Sequence, residues 1–564
     1  MTATTVRIPP SPTIPAAAAP SIRIGAVPAT VSDDLYQMLL QAMSRHEAGD
    51  FATAVAGYRL IISLVPALVD AYSNLAITWF DLGHLEASLA ASHQAIAIKP
   101  DHYQAFATLA RTLQALNHPS AAVVAYRRSL TICNDHQPAW CNVGNLLRDT
   151  GEIEASVAAC RQALRLAPGD PAALNNLGNA RQAQGDADAA IALYRRVLRI
   201  NPDHALANGN LGNSLRAQGH VDEAIPAYRR ALARDPAAAQ VHLNLAIALL
   251  HRGRFREGWA EYEWRWQVAA APRQRLMDLQ PEWTGAPLDG QTILLYGEQG
   301  FGDTLQFVRF APLVAARGGR VILQVFAPLV RLLRRVPGVS AVSGFDAPPP
   351  PFDRHRALMS LPLLFGTDLA DIPATVPYLR ADATAVTAWR ARLASLPGRK
   401  VGLVWAGDPR PHNPHAHLID SRRSLHLDQF APLAVVPGVT WVSLQKGAAA
   451  AQARAASVPL PVLDWMDEIG DFADTAALVT ALDLVITADT AVAHLAGALG
   501  KPVWILSRFD GCWRWLQDRD DTPWYPTARL FRQQRAGDWT SVLNRVRDAL
   551  ADRVGSAALE PSGS

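Results

Sequence analysis

The stretch NLGNARQAQGDADAAIALYRRVLRINP, residues 176–202, carries a glycine at 185, a tyrosine nine residues later at 194 and a closing proline at 202. Moving outward in steps of 34 residues finds each of these again. The glycine returns as Gly49, Gly83, Gly151, Gly219 and Gly253, with Asn117 in the one vacant place. Asparagine is the non-glycine residue best suited to a left-handed turn. The proline returns as Pro66, Pro100, Pro168 and Pro236, with Asn134 in the series, and the tyrosine as Tyr58, Tyr126, Tyr228 and Tyr262. A glycine between two helices, a packing aromatic and a proline that ends the unit are what a stacked helix-turn-helix array requires. Each pair in such an array buries its face only against its neighbours.

On these combs the chain resembles the tetratricopeptide repeat, over about seven units from residue 35 to 272. A further comb runs through Asn74, Asn142, Asn176, Asn210 and Asn244, with Thr108 in the gap. Asparagine is a mediocre helix former, so its recurrence calls for a reason outside helix propensity. Asn145, Asn179 and Asn213 follow three residues on, which places both rows on one face of each first helix. Such a ladder of amides either grips an extended peptide backbone or hydrogen-bonds from repeat to repeat. The repeats resemble those of the protein O-GlcNAc transferases, a likeness that implies peptide binding by these asparagines.

The chain has 564 residues, enough for three or four folding units. Its 53 Lys+Arg against 50 Asp+Glu leave a net charge of +3, too small to indicate a nucleic-acid or membrane-surface partner. The four cysteines, Cys133, Cys141, Cys160 and Cys512, form no Cys-x-x-Cys pair and read as buried thiols of a reducing compartment. Residues 1–34 are rich in Ala, Pro, Thr and Ser and lack a secretory pattern; they read as a disordered lead. No window is long and apolar enough for a membrane span. A cytoplasmic protein is expected.

Near Glu261 the pattern changes. Trp259, Tyr262, Trp264 and Trp266 give way to a Pro-containing stretch, with a domain boundary expected around 272–285. Beyond it, 292–296, 321–325, 401–405, 440–444, 484–487 and 502–506 read as buried strands separated by helical stretches. This alternation implies parallel sheets in two doubly wound lobes, 285–395 and 396–552, with the connection somewhere in 373–399 and a disordered tail at 553–564. Ligands of such sheets bind at the carboxyl ends of the strands.

Three motifs stand at those ends. In Gly297-Glu298-Gln299-Gly300-Phe301-Gly302-Asp303-Thr304 a strand stops and a helix starts, leaving Asp303 either an N-cap or a group at the lip of a cleft. In Ala488-Asp489-Thr490-Ala491-Val492-Ala493-His494 a helix N-terminus follows a strand and suits a phosphate. His494 is either structural or a cleft residue. Cations follow other strands: Arg422 and Arg423 beyond Trp405-Ala406-Gly407, and Lys446 after Gln445. Placed there they suit a pyrophosphate leaving group.

Gly302-Asp303-Thr304, Asp489-Thr490-x-x-x-His494-x-Ala496 and Gly500-Lys501-Pro502 together resemble the heptosyltransferase-type glycosyltransferases of family 9, over residues 290–550. Trp513-Arg514-Trp515, Pro523-Trp524-Tyr525-Pro526 and Leu530-Phe531-Arg532-Gln533 are similar to a bacterial subgroup that joins this domain to tetratricopeptide repeats. The resemblance implies the GT-B fold after the α-helical superhelix, with two Rossmann-like lobes, the second holding a nucleotide-sugar. It implies Asp303 as catalytic base, and Asp489, Thr490 and His494 at the nucleotide diphosphate. Trp405, Gly407, Arg423, Gln445, Lys446 and Ala491 complete the expected donor site. Ala491 departs from the family, where glycine is usual. No Asp-x-Asp pair stands at a strand end, so no catalytic metal and no cofactor are expected. Asp518, Asp520 and Asp521 read as a solvated loop.

The expected activity is inverting, metal-independent transfer from a nucleotide-diphosphate sugar to a protein or glycan acceptor recruited by the repeats. The alternative is a repeat scaffold whose transferase-like domain is inactive.

Overall fold

Seven consecutive helix pairs, from Asp33–Glu47 to Phe255–Tyr262, follow the 34-residue period among the described residues of the computed structural model, which are 33–268, 276, 278–455 and 459–558. The lead read at 1–34 lies almost wholly outside them. Between the two helices of each pair the glycine comb adopts the left-handed conformation, from φ 77° at Gly49 to φ 72° at Gly253, and Asn117 adopts it too, at φ 62°. Prolines follow helix ends, as Pro168 follows the C-cap Ala167 and Pro202 the C-cap Asn201. The tyrosines fill the pairs: Tyr58, Tyr126, Tyr194 and Tyr228 are fully buried. Gly178 is required by one of them, because a methyl there would sit 2.5 Å from Cε1 of Tyr194. Of the cysteines, Cys141 and Cys160 are buried, whereas Cys133 and Cys512 are half-buried. Cys133 caps a helix instead of packing inside one.

The chain divides into two units, Met1–Ser214 and Leu215–Ser564. The second takes in the helices Val221–Arg234, Ala239–His251 and Phe255–Tyr262 together with two sheets. The first sheet, all parallel, has the order β3-β2-β1-β4, with β1 Thr292–Tyr296, β2 Arg320–Val325, β3 Val339–Gly344 and β4 Arg354–Ala357. The second, also all parallel, has the order β6-β5-β7-β8-β9, with β5 Arg399–Val404, β6 Val439–Ser443, β7 Leu484–Ala488, β8 Val503–Ser507 and β9 Ala528–Arg532. Both are doubly wound orders, whose switch points fall between β1 and β4 and between β5 and β7. The loops carrying Asp303, Gly407 and Asp489 leave β1, β5 and β7.

The expected strands appear within a residue or two. Of the other three, β9 takes in Leu530-Phe531-Arg532, a stretch that also reads as a terminal strand, whereas β3 and β4 carry no such mark in the sequence. β3 is a half-exposed edge of small residues, VSAVSG, and β4 is RHRA, whose His355 and Arg356 are buried. Neither has the apolar run that marks a central parallel strand. The helix Ala383–Ala394 occupies the connecting stretch, and the final helix, Trp539–Ala558, continues past residue 552.

The aromatic run at the end of the repeats has a packing role. Phe255 and Trp259 are buried in the same core as Phe307, Trp513 and Trp524 of the sheet-bearing part. Trp259 meets the rings of Trp513 and Phe307 edge-on at 5.3 and 5.8 Å, and Phe255 lies 5.8 Å from Trp524. Each such ring removes about 150–250 Å² from water. The last helix pair is thereby fastened directly beneath the loop that follows β1.

Candidate functional site

The loop after β1 and the helix turn it leads into hold two carboxylates, each facing its own buried arginine. Glu298 receives both of its oxygens' bonds from Arg265, Nε at 2.7 Å and Nη2 at 2.9 Å, and only 5% of its side chain is exposed. Burial raises the Glu298 pKa and Arg265 opposes the rise. Gln299 donates to the Tyr262 hydroxyl at 2.8 Å, so the loop is braced twice from the end of the helical array. Asp303 is different. It lies in the first turn of the helix Phe301–Phe307, whose N-cap, Gly300, has no side-chain cap, so the N-capping role open to it in the sequence is not the one it takes. Its Oδ1 accepts from Nη2 of Arg514, while 19% of its side chain remains exposed. Burial disfavours the Arg514 charge, but Asp303, Cys512 and Tyr262 more than offset this and raise its pKa.

The helix Ala491–Ala498 starts where β7 ends, with Thr490 at its N-cap; the Ala493 N–H bonds the Thr490 carbonyl at 3.1 Å, which leaves those of Ala491 and Val492 to lead the helix. His494 is buried and faces Gly302 across the two lobes. Its Nδ1 shares a hydrogen bond with the Tyr525 hydroxyl at 2.9 Å, and its ring stacks on Trp515 at 5.3 Å. Burial first, then Arg514, Arg309 and Arg423, hold its pKa well below the usual value, so the imidazole is neutral near pH 7. Asp489 is buried, and its carbonyl accepts from Nη1 of Arg423 at 2.9 Å. Arg423 is steered by Asp420 at 3.0 Å and lies flat on Gly407, where a methyl would be 2.6 Å from Nη2. Gly302, Asp303, Gly407, Arg423, Asp489, Thr490, Ala491 and His494 thus line one region between the strand ends.

Three expected donor residues are occupied otherwise. The Gln445 amide accepts from the N–H groups of Trp405 and Ala406 at 3.1 and 2.9 Å and donates to the carbonyls of Ala406 and Lys446 at 3.0 and 2.8 Å. It shapes the loop after β5. The Lys446 ammonium donates to the carbonyls of Met466 and Ile469, both at 2.5 Å. Trp405 is fully buried in the core of the second lobe. Sequence reasoning, in turn, gave no chemical role to Arg514 or to Arg265. In the sequence Arg514 stands between Trp513 and Trp515, and nothing in a linear pattern tells a buried arginine from a surface one. Asp518 and Asp521 are exposed and pair with Arg252 and Arg519. Among the described residues no group of three or more His, Cys, Asp or Glu is arranged to hold a metal ion, and no helix is long and apolar enough to cross a membrane.

The sequence model of the tetratricopeptide repeat matches residues 137–203 and 169–237. The helical region is a tetratricopeptide-repeat superhelix. Protein FlbA of Caulobacter vibrioides is 32% identical over 335 residues, covering 54% of this chain and 54% of FlbA. The chain therefore spans about half the length of that relative. Among solved structures, the hetero-tetramer Cut9-Hcn1 of the APC/C matches at 18% identity over 43% of this chain and 48% of that one, with a TM-score of 0.38. PilF of Pseudomonas aeruginosa matches at 21% identity over 37% and 96%, with a TM-score of 0.33. YrrB, described as having an unusual peptide-binding site, matches at 17% over 34% and 98%, with a TM-score of 0.27.

Within the tetratricopeptide repeats two members of the asparagine comb, Asn176 and Asn210, bond to the preceding repeat. Asn176 donates to the Cys141 carbonyl at 3.3 Å, and Asn210 to the side-chain oxygens of Asn175 and Asn179 at 3.1 and 3.0 Å. Tyr194 donates to Asn179 at 2.7 Å. Asn74 is buried, and Asn244 accepts from Gln240 on its own helix at 3.2 Å. Asn142, Asn176, Asn210 and Asn244 stay partly exposed.

Proposed function

We propose that the α/β part is an inverting glycosyltransferase of GT-B type acting on a nucleotide-diphosphate sugar, with the tetratricopeptide repeats recruiting a protein or glycan acceptor. The observation that carries this reading is the unequal engagement of the two carboxylates after β1. Glu298 has both oxygens bound by Arg265, whereas Asp303 has one oxygen on Arg514 and keeps exposure at the cleft. A general base needs an oxygen within reach of the proton it takes.

In the proposed step the acceptor hydroxyl oxygen forms a bond to the anomeric carbon as the bond from that carbon to the diphosphate breaks. The hydroxyl proton passes to Asp303 Oδ2, and the electron pair of the broken bond stays on the departing phosphate oxygen. Charge growing there meets Arg423 and the start of the helix Ala491–Ala498. Neutral His494 adds no charge; its ring fixes the approach of the two lobes at Gly302. Lys446 and Gln445 act one step back, by holding the loops after β5 and β6. No metal site is invoked.

The same occupied residues favour a second reading, a repeat scaffold whose transferase-like domain has lost its donor, since Lys446 is tied to two backbone carbonyls. The tetratricopeptide repeats support protein interaction under either reading. The deciding experiment measures hydrolysis or transfer across UDP-, GDP- and ADP-sugars, with and without EDTA, for the full chain and for Asp303→Asn. EDTA-resistant turnover that the substitution abolishes supports the transferase. Absence of both donor binding and turnover, with lysate as acceptor, leaves the scaffold.

A further inference from the structure

We propose that Arg514, carried by the second lobe, is the positioning residue for Asp303 in the first, so that the base is aligned only while the lobes meet at this contact. The inference rests on the transferase reading for its kinetic consequence, though the contact itself stands on geometry. Arg514 is 8% exposed, and its guanidinium edges are all engaged. Nε donates to Oε1 of Gln306 at 2.7 Å, Nη1 to the Cys512 sulfur at 3.2 Å and Nη2 to Oδ1 of Asp303, while the plane lies 4.3 Å from the centre of the Trp513 ring. Asp303 and Gln306 stand three apart on the helix Phe301–Phe307, so they share one face. By taking both, the arginine fixes the rotation of that helix as well as the rotamer of the carboxylate. Its planar fork is what allows three directed bonds at once.

The consequence lies at the other oxygen. With Oδ1 held, Oδ2 faces Gly300, where a side chain would begin 3.3 Å away. The loop therefore presents one carboxylate oxygen beside a residue that leaves it room. Glu298 and Tyr262 are ionisable groups close enough to feel Asp303, and both are buried and braced by Arg265 or Gln299. Arg514 is thus the cation that answers Asp303, and it comes from the opposite lobe. If the lobes part, Asp303 loses its orientation, and acceptor deprotonation is confined to the closed arrangement.

The test uses the full chain with Arg514→Gln, Arg514→Lys and Gln306→Ala beside Asp303→Asn. A positioning role predicts that Arg514→Gln lowers kcat by about 100-fold or more, within the range general-base catalysis spans, with the donor KM within about threefold of wild type. Arg514→Lys, which keeps the charge but not the fork, should recover about tenfold of that loss. A raised donor KM at unchanged kcat would make Arg514 a donor ligand and overturn the proposal, as would Arg514→Gln at wild-type kcat. If Asp303→Asn itself turns over normally, the base assignment falls and the transferase mechanism with it. Hydrogen exchange, which needs no substrate, reads the clamp by itself. Faster exchange across 301–307 in Arg514→Gln, or in Gln306→Ala should the first variant fail to fold, supports it, and unchanged exchange in the folded variant overturns it.

Discussion

Gly302 lies against the ring of His494 so closely that a methyl group at residue 302 would sit 2.7 Å from the imidazole Cδ2 and 3.6 Å from the Cα of Ala491. Two residues of the family-like motifs, almost two hundred positions apart, therefore meet face to face, one from each lobe. His494 cannot yield easily, because Tyr525 holds its Nδ1 and Trp515 covers its ring. Gly302→Ala is expected to destabilise this part of the chain by about 1–3 kcal/mol, the usual range for forcing a methyl into a packed interior. Turnover should fall as well, since the change displaces the helix that carries Asp303. A urea titration of the variant, with its kcat, tests this; a wild-type midpoint and rate would show that the lobes accommodate the methyl.

The two carboxylates after β1 should separate stability from catalysis. Glu298→Gln removes one partner of a buried ion pair and leaves Arg265 with the Glu263 carboxylate at 2.6 Å, besides the Tyr262 carbonyl and the Ser360 hydroxyl. Breaking such pairs from one side costs about 3–5 kcal/mol, and the remaining partner places this case near the lower end. Asp303→Asn takes the carboxylate from Arg514 and should also lower the melting temperature, but by less than Glu298→Gln because 19% of the Asp303 side chain is exposed, while lowering kcat by about 100-fold or more. Calorimetry and single-donor kinetics on both variants decide it. Equal stability losses would mean that Asp303 is a structural carboxylate like its neighbour.

How much of this was legible in the sequence differs between the two halves for a physical reason. A repeat states its geometry several times over, so Gly49, Gly185 and Tyr194 announced turns and packing that the structure reproduces. The central parallel strands were legible because burial on both faces writes a continuous apolar run, as in TILLY at 292–296. The strand RHRA was not, since His355 and Arg356 are buried by partners that lie far off in the chain; Arg356 pairs with Glu263 and Glu282. The site followed the same rule. Asp303 and His494 stood in local motifs, but Arg514, the partner that distinguishes Asp303 from Glu298, is 211 residues from it. Lys446 shows the converse: a cation after a strand looks free for a phosphate until Met466 and Ile469 turn their carbonyls toward it.

Acid should loosen the sheet-bearing unit through His251. This residue, on the helix Ala239–His251, is 5% exposed, and burial followed by Arg532, Arg216 and Arg252 lowers its pKa to about 4. Between an unfolded value near 6.5 and about 4, the unfolded chain binds a proton that the folded one refuses. Stability from this group is therefore complete above pH 6.5 and declines as pH falls, by about 3 kcal/mol over the whole interval. His494, also lowered, acts with the same sign. Urea midpoints at pH 7.5 and 5.0 should differ, and His251→Gln should shrink the difference. An equal difference in the variant would assign the acid sensitivity to other groups.

The asparagine comb allows a sharper separation between holding repeats together and holding a ligand. Asn210 gives its two amide protons to Asn175, itself buried, and to Asn179, which also accepts from Tyr194. Asn210→Ala leaves the Asn175 oxygen unanswered, at a cost of about 1–2 kcal/mol. In a stacked array that cost falls on neighbouring repeats, because each unit is stabilised by its contacts with the next. Amide exchange should therefore quicken in the helices Pro171–Ala183 and Ala205–Ala217 and stay as in wild type at Asp33–Glu47. Asn244→Ala, where the amide oxygen accepts from Gln240 one turn earlier on the same helix, should change exchange less. If Asn210→Ala leaves exchange unaltered yet weakens capture of an acceptor protein, the amides serve the partner first and the stack second.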